Sequence, residues 1–406
     1  MPSTAQAPKL ERVLRLMVEQ QASDVFLSAH APVTLKINGL SVPANQQPLP
    51  AEGPLTLLTD LVPPERIAEL ESTGELNMAI AVPELGNFRL SAMRQRGSYA
   101  AVIRYVPFRI PPLESLNLPP ILSQLVLEKR GLILVVGASG AGKSTTLAAM
   151  LDHRNRHLTG HILTIEDPIE YLFSNQRSVI NQREVGADTA SFHVGLRNGL
   201  RQAPDVIMIG ELRDRETVSA ALAYAHSGHL CLATLHASNS HQALHRLVNF
   251  FPPEVRPALL GDLAGALKAV ISQRLLRTVH GGLMPAVEVL RNTQLVTELI
   301  EQGDFLGVKQ AMDSTLAEGS QTFEQDLARL IASGHIERQE GMLHADSPTN
   351  LLWRMKNERP PVSGPAQRPT ASHGGQPASF SDIRLDALPA DWPADTETTR
   401  WRDAAP

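Results

Sequence analysis

The chain has 406 residues, 43% of them hydrophobic, and a formal net charge of −5 with both signs spread along it. That length supports two or three domains with sizeable cores, and the charge balance argues against a general nucleic-acid binder, which carries a basic face. The single cysteine, Cys231, excludes an intrachain disulfide framework and a cysteine-based zinc module. The chain opens without a basic-then-apolar leader, and no apolar run reaches the roughly 18 residues of a membrane span. The sequence therefore predicts a cytoplasmic protein with no direct membrane span, attached to a membrane only through a partner.

Residues 1–8 are small and polar. Over 9–20, Leu10, Val13, Leu14, Met17 and Val18 recur at helical spacing. Segments 24–28 and 33–37 alternate as strands about Ala31 and Pro32, and 55–70 is helical in pattern. Leu85, Gly86 and Asn87 mark a turn; 88–94 and 99–106 read as a hairpin about Arg96, Gly97 and Ser98. These elements predict a small α+β domain over 1–108 and a proline-rich linker over 109–120.

From residue 121 strands and helices alternate, the sign of a parallel α/β sheet. The expected strands are 132–136, 162–165, 206–209 and 230–234, and the expected helices 143–156, 189–202, 215–227 and 240–250. Residues 258–273 read as helical, 286–290 as a last strand and 295–332 as helical again, giving a domain over 121–345. Residues 346–406 are predicted as a disordered proline-rich tail. The tail is read as a solvated extension, with Phe380, Ile383, Leu385, Leu388, Trp392 and Trp401 offering a docking segment as the alternative.

The central motif follows the 132–136 strand. Gly137, Ala138, Ser139, Gly140, Ala141, Gly142, Lys143 and Ser144, with Thr145 next, spell the G-x-x-x-x-G-K-[ST] phosphate-binding loop. Its glycines let backbone N–H groups converge on phosphate oxygens, and the helix that starts near Lys143 points its positive end at the same anion. Lys143 is assigned to the β- and γ-phosphates and the Ser144 hydroxyl to Mg²⁺, so a nucleoside triphosphate and Mg²⁺ are the expected ligands.

Hydrolysis needs acids at neighbouring strand ends. After the 162–165 strand come Glu166, Asp167 and Glu170, three carboxylates within five residues; either Glu170 or Glu166 suits the orientation or deprotonation of water. After 206–209, Gly210 and Glu211 complete the apolar-run-then-acid pattern of Walker B. Arg213, Asp214, Arg215 and Glu216 read as a solvated helix start. His229 and His236 flank the 230–234 strand; they lack a third metal ligand, and sensing of a γ-phosphate or of a neighbouring subunit is the functional reading. Arg89, Arg94, Arg96 and Arg104 offer an arginine finger from another subunit.

These motifs, in this order, resemble the secretion ATPase superfamily and specifically its type IV pilus retraction ATPases, the PilT and PilU group. The quoted segments are GASGAGKSTT at 137–146, ILTIEDPIEY at 162–171 (an Asp box), VIMIGELRD at 206–214 (Walker B) and GHLCLATLHA at 228–237 (a His box). The resemblance spans about residues 12–336. It implies an N-terminal PAS-like α+β domain followed by a RecA-like ATPase domain with helices at its C-terminal side. It implies ATP hydrolysis with Glu170 as catalytic glutamate, Glu211 as Walker-B acid, His229 and His236 as the His-box pair, and Arg96 and Arg104 acting in trans. A homo-hexamer is implied, with partners in a PilT-type retraction ATPase and the cytoplasmic face of the inner-membrane pilus platform protein, and no nucleic acid. The stretch 295–300 lacks the Arg-Asn pair of the PilT subgroup, which favours the PilU-like accessory branch. Two competing readings are a weakly hydrolysing structural subunit and, further off, an extension or secretion ATPase. Gly195 and Gly199, in a helix where the group usually has alanine, predict a loosened helix.

Overall fold

The computed structural model describes residues 9–37, 39–82, 85–106, 110–314 and 317–357. Helix α1 (Lys9–Glu19) buries Leu10, Leu14 and Met17, one helical stripe. β1 (Asp24–Ser28), β2 (Thr34–Ile37) and the exposed β3 (Leu40–Pro43) follow. The helix expected over 55–70 is two helices, α2 (Gly53–Leu58) and α3 (Pro64–Thr73). Pro63 and Pro64 interrupt the pattern, and Pro64 suits a first helical position, where its missing N–H is not needed. β4 (Glu75–Val82), β5 (Gly86–Gln95) and β6 (Ser98–Val106) complete an antiparallel six-stranded sheet, ordered β3-β2-β1-β6-β5-β4. Leu14, Met17, Leu58 and Leu70 from the helices pack on Val25, Leu27, Phe88 and Ile103 from the sheet.

The expected linker is not a free tether. Ile110, Leu113, Leu116 and Leu118 pack with α4 (Ile121–Leu125) against the core of the second sheet. That sheet is built from β7 (Gly131–Val136), β8 (Gly160–Glu166), β9 (Ser178–Glu184), β10 (Val206–Ile209), β11 (Leu230–Leu235), β12 (Leu267–Arg277) and β13 (Leu283–Arg291). Its order is β13-β12-β7-β11-β10-β8-β9, parallel except for β13. β7 is wholly buried and alternates: Leu132, Leu134 and Val136 face one layer, Ile133 and Val135 the other. Helices on both faces cover it: α5 (Lys143–His157), α6 (Phe192–Gly199), α7 (Arg215–His226), α8 (Ser240–Asn249), α9 (Arg256–Ala266), α10 (Gln294–Glu301) and α11 (Phe305–Ser314).

Residues 258–273 differ from the helical expectation. The helix stops at Ala266, and Leu267 begins β12 between β7 and β13. Gly265, one residue before the helix end, is the one local mark of that change, and a strand buried on both faces shows no alternation, so its partners define it. Residues 346–357, expected to belong to the tail, are structured. After α12 (Phe323–Ala332) and α13 (Arg338–His344), α14 (Pro348–Asn357) packs Leu351 into a core with Phe323, Leu327 and Leu330. The proposed docking segment within 360–406 lies outside the described residues.

The glycines of α6 are not points of looseness. A Cβ on Gly199 would fall 2.6 Å from Tyr224 Oη and 2.9 Å from Leu163 Cδ2, and one on Gly195 would press on Ile165. The Tyr224 hydroxyl uses the gap to donate to the Leu196 carbonyl at 2.7 Å. Gly199→Ala is therefore expected to destabilise the chain by about 1–3 kcal/mol. Tyr224→Phe removes the hydroxyl that the new methyl would strike, so the double variant should lose less than the sum of the single losses. Urea denaturation of the four proteins checks this; strict additivity contradicts it.

Candidate nucleotide site

The phosphate loop is held from below by Gln273 on β12. Gly137 has no side chain because a Cβ there would lie 2.6 Å from the Gln273 carbonyl oxygen. Gly140 (φ 77°) and Gly142 (φ 87°) turn the chain through left-handed conformations into α5. The Gln273 amide takes the space beside Gly142, and its Oε1 accepts from the Thr146 hydroxyl at 2.7 Å. Lys143 Nζ donates to the carbonyls of Gly137 (3.0 Å) and Ala138 (2.9 Å). Burial lowers the Lys143 pKa, opposed by the charges of Glu211 and Glu170.

The loop opens onto a cavity of about 640 Å³. Ser139, Gly140, Gly142, Lys143, Ser144 and Thr145 line it from below, and Ser23, Asp24, Lys36 and Arg104 from the N-terminal domain. Glu166, Asp167, Glu170, Glu211 and His236 close its acidic side. The parallel register brings these together: Ile209 lies beside Ile165 and Ala233, and Leu235 beside Val136. Glu211 contacts Arg213 Nε through Oε2 at 2.9 Å and His236 Nε2 through Oε1 at 3.3 Å. Arg213 also donates to Asp167 Oδ2 at 2.9 Å. Glu170 is exposed toward the cavity. Glu166 is buried and accepts from Thr164 Oγ1 (2.6 Å) and Gln182 Nε2 (3.1 Å).

Not every expected residue reaches this cavity. Gly137 and Ala138 line a neighbouring groove of about 590 Å³ with His236, Gln242 and His245. Ala141 is buried, with its Cβ against Gly137. His229 lies at the opposite edge of the sheet, where its carbonyl accepts from Gly131 N–H and its ring meets Tyr224 edge-on. β11 separates it from His236, so the expected pair is split within one chain. Arg96 occupies the β5–β6 turn in a left-handed conformation (φ 46°) and does not line the cavity. Arg104, expected to serve another chain, lines the cavity of its own chain and donates to Asp24 Oδ1 at 2.8 Å.

Sequence reasoning passed over two participants, and it offered Arg89 only as a finger from another subunit. Arg213, read as a solvated helix start, bridges two acids. Gln273 fell inside the mistaken helix. Arg89 pairs with Glu184 at 3.0 Å; burial lowers its pKa, while Glu184, Asp167 and Glu170 counter that. The signal for Arg213 was its place two residues after the Walker-B acid.

A family model described as type II/IV secretion system protein matches residues 5–310. Over 349 residues the chain is 45% identical to the type IV pilus ATPase PilU of Pseudomonas aeruginosa, covering 86% of this chain and 91% of that one. The chain belongs to the secretion ATPase family, in its PilT and PilU group. It is also 35% identical to the retraction ATPase PilT of the same organism, covering 84% of this chain and 99% of that one. The crystal structure of the pilus retraction motor PilT with bound ADP matches with a TM-score of 0.78 at 38% identity, over 85% of this chain and 99% of that one. The family fold accounts for both sheets: an N-terminal PAS-like α+β domain followed by a RecA-like phosphate-loop ATPase domain with helices after it.

Glu166 makes this ATPase fold sensitive to pH. Burial raises its carboxyl from 4.5 to about 6, against the hydrogen bonds from Thr164 and Gln182. The folded chain then holds this proton more tightly than the unfolded chain. Its contribution to stability is full below pH 4.5 and is lost as pH rises through about 6. Glu166→Gln should therefore match the wild type in acid and exceed it at neutral pH by about 1–2 kcal/mol. Denaturation midpoints across pH test this; a difference that does not change with pH contradicts it.

Proposed function

We propose that this chain is an ATP-hydrolysing subunit of a hexameric motor that drives or assists type IV pilus retraction, working as the PilT-dependent accessory paralogue. The observation that carries this reading is one cavity in which Lys143, Ser144, Glu170, Glu211 and His236 converge beneath an arginine from the N-terminal domain. The similarity to PilU and PilT supplies the biological setting. The partners that follow are further copies of this chain, a PilT-type ATPase and the inner-membrane pilus platform protein, met at its cytoplasmic face. Among the described residues no helix is long and apolar enough to cross a membrane, in keeping with attachment through that partner.

The roles follow from chemistry. Lys143 exchanges the carbonyls of Gly137 and Ala138 for phosphate oxygens, and the α5 N-terminus adds its dipole. Mg²⁺ bound with the nucleotide neutralises phosphate charge. Ser144 and Glu211 offer it hard oxygen donors, the kind it takes alongside phosphates and water rather than in a protein cage. Among the described residues no group of three His, Cys, Asp or Glu side chains is arranged to hold a metal alone. Glu170, open to the cavity, orients and deprotonates the attacking water, in preference to the buried Glu166. Arg104 meets the nucleotide from the N-terminal domain of its own chain, while Arg96 at a hairpin tip is available to a neighbour's site. His236 senses the γ-phosphate through Glu211, and His229, at the far edge, suits contact with an adjacent subunit.

One observation favours a weaker enzyme. Both carboxylate oxygens of Glu211 are engaged, by Arg213 and by His236, so turnover waits on their release. Lys143→Ala should abolish ATP binding, and Glu170→Gln should lower kcat about 10²- to 10⁴-fold while leaving ADP affinity intact. Both are read by steady-state hydrolysis and nucleotide titration. In cells, loss of this protein should weaken retraction only where a PilT-type ATPase is present. Full retraction by this protein alone contradicts the accessory role, and absence of hydrolysis by the assembled wild type contradicts the enzyme.

A further inference from the structure

The three residues that follow His236 and Ala237 are held by side chains outside the cavity lining. The Ser238 carbonyl accepts from Arg274 Nη2 at 3.0 Å. Asn239 caps α8 through Oδ1, which accepts from Gln242 N at 3.1 Å, and donates through Nδ2 to Asp346 Oδ2 at 2.8 Å. Ser240 donates through both N (2.7 Å) and Oγ (2.6 Å) to Glu288 Oε1. Arg274 and Asp346 pair with each other, and Arg274 also donates to the His344 carbonyl. Its guanidinium carbon lies 3.9 Å from the centre of the Phe323 ring. Both side chains of the pair are largely withdrawn from water, at 18% and 16% exposure.

These contacts join two places far apart in sequence. Asp346 sits between α13 and α14, and Arg274 follows Gln273, the residue under the phosphate loop. Two residues before Ser238, the His236 ring stands against Glu211. We propose that Arg274 and Asp346 are positioning residues of the ATPase site, acting through the backbone at Ser238 and Asn239 to hold His236 against Glu211. The inference rests on reading the cavity as a site of ATP hydrolysis.

The geometry separates this role from general support. α14 keeps its own anchors, since Leu351 is fully buried and Ser347 N donates to Glu324 Oε1 at 2.8 Å. Asp346 lines neither the cavity nor the neighbouring groove. What its carboxylate does reach is the α8 cap and the arginine that fixes the Ser238 carbonyl. A small shift in that loop turns His236 away from Glu211, and misplacement of about 1 Å at a reacting site costs up to about a hundredfold in rate.

The test uses the full chain with Asp346→Ala and Arg274→Gln, each alone and combined with His236→Ala. The positioning role predicts that either variant lowers kcat about tenfold with KM for ATP and affinity for ADP essentially unchanged. In the His236→Ala background the same changes should have no further effect. Amide hydrogen exchange at 237–242 should accelerate about tenfold in Asp346→Ala, with exchange in β7 and β11 unaltered. A kcat loss that multiplies with the His236→Ala loss overturns the proposal, as does unaltered exchange at 237–242. If Arg274→Gln fails to fold, Asp346→Ala decides on the same readouts. Absence of turnover in the wild type overturns the reading of the site instead, and the exchange measurement, which needs no turnover, still judges the clamp.

Discussion

Gly137 leaves no side chain between the phosphate loop and the Gln273 carbonyl of β12, and the rest of the site is laid out from that contact. A Cβ there would drive loop and strand apart, and one on Gly142 would displace the Gln273 amide. Because neither exists, the Gln273 side chain reaches Thr146 and fastens the first turn of α5 to the sheet. The loop is thereby preorganised, and Lys143 is held by the Gly137 and Ala138 carbonyls within it. Binding then exchanges partners for one ammonium rather than ordering a free loop, which lowers the entropic cost. The parallel register does the remainder, since β8, β10 and β11 end level with β7 and deliver Glu166, Glu211 and His236 to one edge.

That edge concentrates negative charge, and cations spaced through it offset the repulsion. Arg213 spans Asp167 and Glu211, Arg89 reaches from β5 to Glu184, and Arg104 pairs with Asp24. Glu184 does double duty: its Oε2 also accepts from Ile169 N at 3.1 Å, in the loop that carries Glu170. The N-terminal domain is thus tied electrostatically to the segment that carries Glu170. A change in the relation between the two domains would be felt at Glu170 through Arg89 and Glu184, two adjoining contacts.

The legible parts of the sequence were those with local causes. Four central strands and the helix after the phosphate loop came from apolar runs bounded by glycine and charge, and the structure places them within a residue or two. The parts that were not legible depend on distant partners. β12 carries the same apolar density as the helix before it, and only pairing with β7 and β13 makes it a strand. β9, with Asn181, Gln182 and Arg183 in its middle, is polar enough to read as loop and exists because β8 offers it an edge. The glycines of α6 suggested weakness by propensity alone. The reason for Gly199 is the Tyr224 hydroxyl, 25 positions later, and for Gly195 it is the Ile165 side chain. In the site, motif residues were found by type and spacing, and the strand read between His229 and His236 already set them at opposite ends of β11.

The two kinds of acid in this molecule divide the structure into a part that can rearrange and a part that cannot. Arg213 and Asp167 are about half exposed, at 49% and 40%, and pairs in such positions contribute at most about 1 kcal/mol each. A polyphosphate that competes for Arg213 therefore displaces its present partners at little cost. Glu166 and Glu288 are different: both are buried, both have raised pKa values, and both are satisfied by neutral donors, the hydroxyls of Thr164, Ser240 and Ser272 and the Gln182 amide. Removing any of those donors would leave a buried carboxyl short of a partner, at about 1–3 kcal/mol. The rim of ion pairs is thus free to follow the nucleotide, while the hydrogen-bonded acids beneath it keep the strand ends in register. A motor site needs that division, because the groups that respond to phosphate must move against a frame that does not.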